Sequence, residues 1–580
     1  MVGLFLFNFA EKSKLIIEIA TYIEIMYKTG IMLFSSFKDI YMFKIAKNTK
    51  PGGITDKVDY LVDVLSPKQK KQFYLLMAVN IVGLLFFLVW WFNSSHVIKL
   101  AGMVLNSVVI LWSVLLPLYF FFFVSRMKKP NPLLSPPLNL KVAMAVTKTP
   151  GEPFSLVKET ILSMISQKYP HDTWLADEDP DEETVEWCKE HTVFISTRRN
   201  DPGYHRSSWP RRAKCKEGNL AYFYDNYGYK SYDVVIQMDA DHVPQKNYLE
   251  EMLKPFNNPE VGYVSAPSIC NTNSYKSWTA RARLYIEAFL HGAQQAGHTN
   301  GFAPLCFGSH YAVRTKALKQ IGGLGPELAE DHSTTLLMNA RGWKGVHALD
   351  AVAFGDGPAN FADAMTQEFQ WSRSLMVILL TLTPSKLKAL PLRMKFQFLF
   401  SQLWYPLYGI IMLIGFSIPL IALLSDSSLV RVVYFSFLIH SWIYTTTILA
   451  SIFWLKKTGC LWPKDAKIVS WEAVFFQIVR WPWVFLGCLY GLAGVLIKKE
   501  FNFKVTPKGE SAKSVLTLNV LLPYIILVSI GLLFSILISN SKYAAGYYYF
   551  AILNTVLYGI SIAVIILNHI YESRKYKSNI

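Results

Sequence analysis

Val234-Val235-Ile236-Gln237-Met238-Asp239-Ala240-Asp241-His242 is the stretch from which the rest of this chain can be read. Its apolar opening describes a buried strand, and two carboxylates one residue apart follow directly. Side chains alternate along a strand, so Asp239 and Asp241 project to the same side of the backbone. Paired hard oxygens of this kind, with His242 beside them, suit Mg²⁺ or Mn²⁺, which take carboxylates together with substrate phosphates.

Around that strand the chain is strongly apolar. Its 580 residues are 52% hydrophobic and 15% aromatic with a mean hydropathy of +0.25, which excludes an ordinary soluble multidomain enzyme. A bilayer crossing needs about 20 apolar residues. Six stretches qualify, at about 73–93, 99–125, 397–424, 430–455, 515–538 and 546–569. Lys68, Lys70 and Lys71 precede the first, Arg126, Lys128 and Lys129 follow the second, Lys456 and Lys457 the fourth, and Arg574, Lys575 and Lys577 the last. By the positive-inside rule those flanks are cytoplasmic, and so is the polar block 138–380. The expected organisation is an amphipathic interfacial segment at 1–72, two membrane helices within 73–129, the polar domain, then interfacial and four membrane helices within 381–569, and a cytosolic tail at 570–580.

Phe475–Ile497 is long enough to cross, but crossing there would place Lys498 and Lys499 outside, and Arg480, Trp481, Pro482 and Trp483 interrupt it. An in-plane interfacial helix is expected instead. Glu11, Lys12 and Lys14 break the early apolar run, against a cleavable signal peptide. Much of the net charge of +17 flanks the spans, where anionic membrane lipid, and not nucleic acid, is the expected partner. Six cysteines with no C-x-x-C pair support neither a zinc site nor a disulfide framework.

Within the polar block, Val142–Val146, a strand ending at Ala176, Val193–Ile195 and the aspartate strand alternate with helices at Phe154–Gln167 and Glu182–Glu190. Such alternation predicts an α/β domain on a mostly parallel sheet, with ligands at the carboxyl ends of its strands. Asp177 ends a strand, where it could accept hydrogen bonds from a nucleotide; Asp179 belongs to an acidic run that reads equally as a solvated loop. Lys216 opens a helix after Arg211, Arg212 and Lys214, so cations and free backbone N–H groups converge where an anion would bind. A metal-held diphosphate on the cytosolic face of a membrane protein points to an activated sugar donor and glycosyl transfer. Asp331 reads as a helix cap or as the general base that such a transfer needs. Trp371 with Gln367 and Gln370 offers an apolar face and amides for a sugar, or a membrane anchor, and Arg373 lies on nearly the same helix face as Gln370.

Together these residues resemble the processive membrane family-2 glycosyltransferases, cellulose synthase above all, over about 141–569. The family's first aspartate site is similar to Asp177 with Asp179, its K-x-G-N to Lys216–Asn219, its D-x-D to Asp239 and Asp241, its T-E-D to Ala329-Glu330-Asp331, and its Q-x-x-R-W to Gln367–Trp371. Gly308-Ser309 resembles a G-S pair placed near the acceptor, and Phe503-Lys504-Val505-Thr506-Pro507-Lys508 resembles the F-x-V-T-x-K gating loop, here within 499–512.

The resemblance implies a GT-A glycosyltransferase domain inserted between transmembrane helices in the plasma (inner) membrane, and a β-glucan synthase using UDP-glucose. It implies Asp331 as base, and Asp239, Asp241 and His242 at the metal. Asp177, Asp179, Lys216, Asp239 and Arg373 fall at the donor, and Trp371, Gln367, Gln370, Gly308 and Glu330 at the acceptor. Phe503, Val505, Thr506 and Lys508 would close over the nucleotide. The growing glucan and an accessory secretion subunit are implied partners. Gln370 replaces the family arginine, and Asp179-Pro180 a D-D-G pattern. The last span is followed by about ten residues, so a cyclic-di-GMP-binding domain is not expected. Cellulose-type β-1,4 linkage is the first expectation, followed by β-1,3 or mixed linkage. A hyaluronan- or chitin-type synthase using N-acetylated donors and a non-catalytic transporter or scaffold are the alternatives.

Overall fold

The structure is a computed structural model that describes residues 59–150, 152–498, 516–537 and 544–577, with side chains through 575. The gating-loop residues Phe503, Val505, Thr506 and Lys508, and all but the last residues of the 1–72 segment, lie outside the described residues.

Seven strands form the main sheet: β1 (Val142–Lys148), β2 (Asp172–Asp177), β3 (Phe194–Ser196), β4 (Val234–Asp239), β5 (Val261–Ser265), β6 (His310–Arg314) and β7 (Lys344–His347). Their order is β7-β5-β6-β4-β1-β2-β3. All neighbours run parallel except β6, which is antiparallel to both β4 and β5. Every residue of β1 is buried, as a strand covered on both faces requires. Met144, Val146, Ile236 and Met238 face Val157, Ile161 and Met164 of the helix Phe154–Ile165, while Ala143, Ala145, Val235 and Val313 face Leu220 and Phe223 on the other side.

Register decides what meets at the edge. Thr147 lies beside Asp239 and Lys148 beside Asp177, so the carboxyl ends of β1, β2 and β4 coincide. Because β6 is antiparallel, with His310 opposite Met238, the preceding loop 307–309 arrives at this same edge. Six helices carry or support the site: α1 (Lys216–Phe223), α2 (Trp278–Ile286), α3 (Glu330–Ala340), α4 (Phe361–Thr381), α5 (Trp471–Val479) and α6 (Trp481–Ile497).

Among the described residues seven helices are long and apolar enough to cross a membrane, and the chain is an integral membrane protein. Six of them, Pro67–Trp91, Leu100–Val124, Leu392–Leu424, Tyr434–Lys457, Leu518–Leu537 and Ala545–Lys575, coincide with the expected spans. The seventh is Trp471–Ile497, divided at Arg480 into α5 and α6. Half of its apolar window is buried inside the protein, against 28% or less in five of the others, so much of its apolar surface is answered by protein. α6 lies along α4, and the two come so close at Gly487 that a Cβ there would stand 2.0 Å from Ser372 Oγ and 2.5 Å from Phe369 O.

The chain divides into two compact units, one of which includes 65–103 and 429–454. In it, Ser66 and Gln69 form a capping box that starts the helix Pro67–Trp91. Asn80 Nδ2 donates to Ser451 Oγ at 2.9 Å, and Trp90 stacks on His440 with ring centroids 4.3 Å apart, joining this helix to Tyr434–Lys457. The other unit includes 59–64, 104–428 and the residues from 455 onward, and it contains the whole sheet.

Candidate active site

Asp239, Asp241 and His242 offer ligand atoms all within 4.8 Å of one another, which makes them a candidate metal group. Asp241 Oδ2 accepts the Asp356 backbone N–H at 3.2 Å, and Oδ1 lies 3.2 Å from His242 Nδ1. Burial works against the charged form of His242, but the neighbouring Asp241 carboxylate together with Cys270 outweighs it, and the imidazole is raised to about 10. His242 Nε2 meets Ser268 Oγ at 3.1 Å. Both ring nitrogens thus have partners, one of them Asp241, so His242 holds that carboxylate in place as well as offering a nitrogen to the group. Two carboxylates fit a hard divalent cation.

The K-E-G-N segment uses each of its residues. Lys216 Nζ reaches Asp239 Oδ1 at 2.7 Å and also donates to Gly308 O, spanning from β4 to the loop before β6. Glu217 accepts the backbone N–H groups of Arg211 and Arg212 at 2.8 and 2.9 Å, folding the arginine-rich loop back onto α1. At Gly218 a Cβ would sit 1.9 Å from Arg212 O, so only glycine admits that loop. Asn219 Nδ2 donates to Ala176 O at 2.9 Å, tying α1 to the end of β2. Asp177 follows that carbonyl, fully buried, paired with Lys148 Nζ at 3.0 Å and accepting the Asp179 N–H. Asp179 is exposed and pairs with Arg199 at 3.0 Å. Arg373 is buried on α4, within electrostatic reach of Glu327 and of Arg212 in the loop before Lys216.

Asp331 lies in the first turn of α3, whose N-cap is Ala329. Burial raises its carboxyl above the ordinary range, while the N–H groups of His332, at 2.7 Å, and Gly308 and the charge of Lys216 favour ionisation. Glu330 is raised further, by burial and then by Asp331, and its Oε1 has no hydrogen-bond partner among the described residues. A Cβ placed on Gly308 would stand 3.5 Å from Asp331 Oδ2 and 3.7 Å from Glu330 Oε1. The missing side chain keeps open the space in front of both acids.

Gln367 and Trp371 lie one turn apart on α4, and both meet Arg283 of α2. Gln370 is buried on the same helix. Sequence reasoning passed over Arg283, Glu287 and His291, whose spacing of four puts them on one helical face and was the available signal. It also passed over Lys148, which nothing distinguishes from any strand-end lysine until Asp177 is beside it. Glu368 of α4 is buried and pairs with Arg480, between α5 and α6, at 3.4 Å.

Residues 234–455 match the family described as glycosyl transferase family group 2. The chain is 24% identical over 277 residues to the UDP-forming cellulose synthase catalytic subunit of Xanthomonas axonopodis pv. citri (strain 306), a match covering 45% of this chain and 35% of that one. It is 24% identical over 261 residues to the cellulose synthase 1 catalytic subunit of Komagataeibacter xylinus, covering 43% and 33%. The chain therefore spans about a third of the length of these curated relatives. Among solved structures, the mannosyltransferase PcManGT from Pyrobaculum calidifontis, in complex with GDP-Man and Mn²⁺, aligns with a TM-score of 0.40 and 14% identity over 69% of this chain and 99% of that one. A mostly parallel sheet, a D-x-D at its edge and the match over 234–455 mark this chain as similar to the family-2 glycosyltransferases of the cellulose-synthase kind.

Proposed function

We propose that the chain is a processive, inverting β-glucan synthase that takes glucose from UDP-glucose, with β-1,4 as the linkage, and passes the polymer outward through its own membrane helices. The observation that carries this reading is the single edge at which Lys216 joins Asp239 to Gly308, directly before the buried pair Glu330 and Asp331. Donor-side acids and an acceptor-side base thus face one another across one lysine. The relatives named as UDP-forming cellulose synthases support the choice of nucleotide and sugar.

Asp239 and Asp241 would hold Mg²⁺ or Mn²⁺, which supplies charge neutralisation at the donor diphosphate. Lys216, with Arg373 and Arg212, adds fixed positive charge on the same side, while the buried Asp177–Lys148 pair shapes the floor beneath the nucleotide. Asp331 takes the proton of the acceptor hydroxyl as that oxygen bonds to C1 of the donor glucose. The bond from C1 to the diphosphate oxygen breaks, and UDP leaves with the electron pair. In-line displacement on an α-linked donor yields a β-linkage. Trp371 stacks on the terminal sugar, with Gln367 and Gln370 orienting its hydroxyls. The gating loop 499–512 would close over UDP and exclude water.

Incubating purified protein with UDP-glucose and Mg²⁺ or Mn²⁺, then digesting the polymer with linkage-specific glucanases, tests this directly. Release of cello-oligosaccharides is expected. A product cut only by β-1,3-glucanase moves the linkage, and turnover of UDP-N-acetylglucosamine in place of UDP-glucose overturns the donor.

A further inference from the structure

Behind the acceptor platform lies a buried cation that the reaction as described does not use. Arg283 of α2 places its guanidinium carbon 3.9 Å from the centroid of the Trp371 ring. Its Nη1 donates to Gln367 Oε1, one helical turn earlier. Its Nε donates to Glu287 Oε1 at 3.0 Å, and Glu287 Oε2 lies 3.6 Å from His291 Nε2. The Ser268 backbone N–H donates to His291 Nδ1 at 3.3 Å, so Nδ1 is the lone-pair nitrogen and the ring proton sits on Nε2, towards Glu287. Ser268 Oγ meets His242 Nε2, whose ring in turn faces Asp241. A chain of short contacts therefore runs from the indole of α4 to the second acid of the metal pair.

We propose that Arg283 is a positioning residue for the acceptor. It clamps Trp371 and Gln367 in one arrangement, with Glu287 holding the clamp, and it covers one face of the indole so that sugar stacks only on the other. The inference rests on the proposed reading of Trp371 as the acceptor platform. A planar guanidinium suits both tasks, since its face lies on an aromatic ring while its edge donates in the plane. Lysine has the charge without the plane.

The test uses the full-length protein with Arg283→Met, Arg283→Lys and Glu287→Gln, following transfer to added cellopentaose and UDP release without acceptor. With Arg283→Met the acceptor KM is expected to rise about tenfold or more, with UDP release in water lowered far less; the other two variants fall between it and wild type. In the Trp371→Ala background, Arg283→Met is expected to add little. An unchanged acceptor KM, or an equal fall of both activities in Arg283→Met and Arg283→Lys alike, overturns the proposal. A second readout needs no turnover: in protein labelled with 5-fluorotryptophan, the ¹⁹F resonance assigned by Trp371→Phe shifts in Arg283→Met, and an unmoved resonance overturns the clamp. A wild type that neither hydrolyses UDP-glucose nor extends cellopentaose defeats the proposed function instead, leaving the fluorine shift to decide the placement of Arg283.

Discussion

Glu330 and Asp331 carry the sharpest residue-scale consequence. Both carboxyls are raised by burial, and proton uptake by them acts oppositely on activity and stability. A base must be ionised, so transfer is expected to fade on the acid side at a pH above the ordinary carboxylate range. Stability runs the other way: the folded chain holds protons that the unfolded chain releases. The stabilising contribution is therefore complete below the ordinary carboxylate value and is lost as pH rises through the raised values. Glu330→Gln removes the ionisation, so its thermal midpoint should exceed that of wild type at about pH 8 and match it at about pH 4. Asp331→Asn should lower transfer by about 10²–10⁴-fold while Mn²⁺ binding, followed by electron paramagnetic resonance, persists. Gly308→Ala adds a methyl at ordinary contact distance from both acids, so the protein should fold normally and show its defect in acceptor KM.

At the scale of elements, α4 carries Gln367, Gln370 and Trp371, the proposed acceptor residues, and α6 backs it. Their close approach depends on Gly487, since any side chain there meets Ser372 and the Phe369 carbonyl. Gly487→Leu should separate the helices and disturb Trp371 two residues beyond Phe369, measurable as lower thermal stability together with weaker acceptor use. The buried Glu368–Arg480 pair fastens the same contact. Removing one partner leaves a buried charge unanswered and should cost about 3–5 kcal/mol, whereas Glu368→Met with Arg480→Met should cost less than either single change. Thermal unfolding of the three variants checks this order. That order would also show why a cation interrupts an otherwise apolar stretch: Arg480 answers a carboxylate one helix away, a reason invisible in the run of residues around it.

For the whole molecule, the proposed polymer synthesis depends on a divalent metal at the sheet edge, and that metal is the simplest handle on it. Chelation should reduce polymer formation to background, and Mn²⁺ or Mg²⁺ should restore it, read as incorporation of labelled glucose. Much of this architecture was legible beforehand. The helix Glu182–Glu190, the strand ending in Asp239 and six membrane helices follow from periodicity and length, which are properties of neighbouring residues. The candidate site was legible where a motif coincides with the end of a strand, at Asp239 and Asp241, or with the start of a helix, at Lys216 and Asp331. His242 was legible as a neighbour of the metal pair, but its engagement by Ser268, 26 positions away, needed the fold.

By itself the sequence determined that the chain crosses a membrane, that an α/β domain interrupts its spans, and that two carboxylates end a buried strand, because hydrophobic period, span length and strand alternation act over short distances. Only the tertiary structure decided that β6 runs antiparallel and delivers Gly308 to the acids, that Asp177 is spent on Lys148, and that Arg283 lies beneath Trp371. Contacts of this kind join residues far apart in the chain, 84 positions for Arg283 and Gln367, and register and helix packing set them without leaving a periodic trace in either segment.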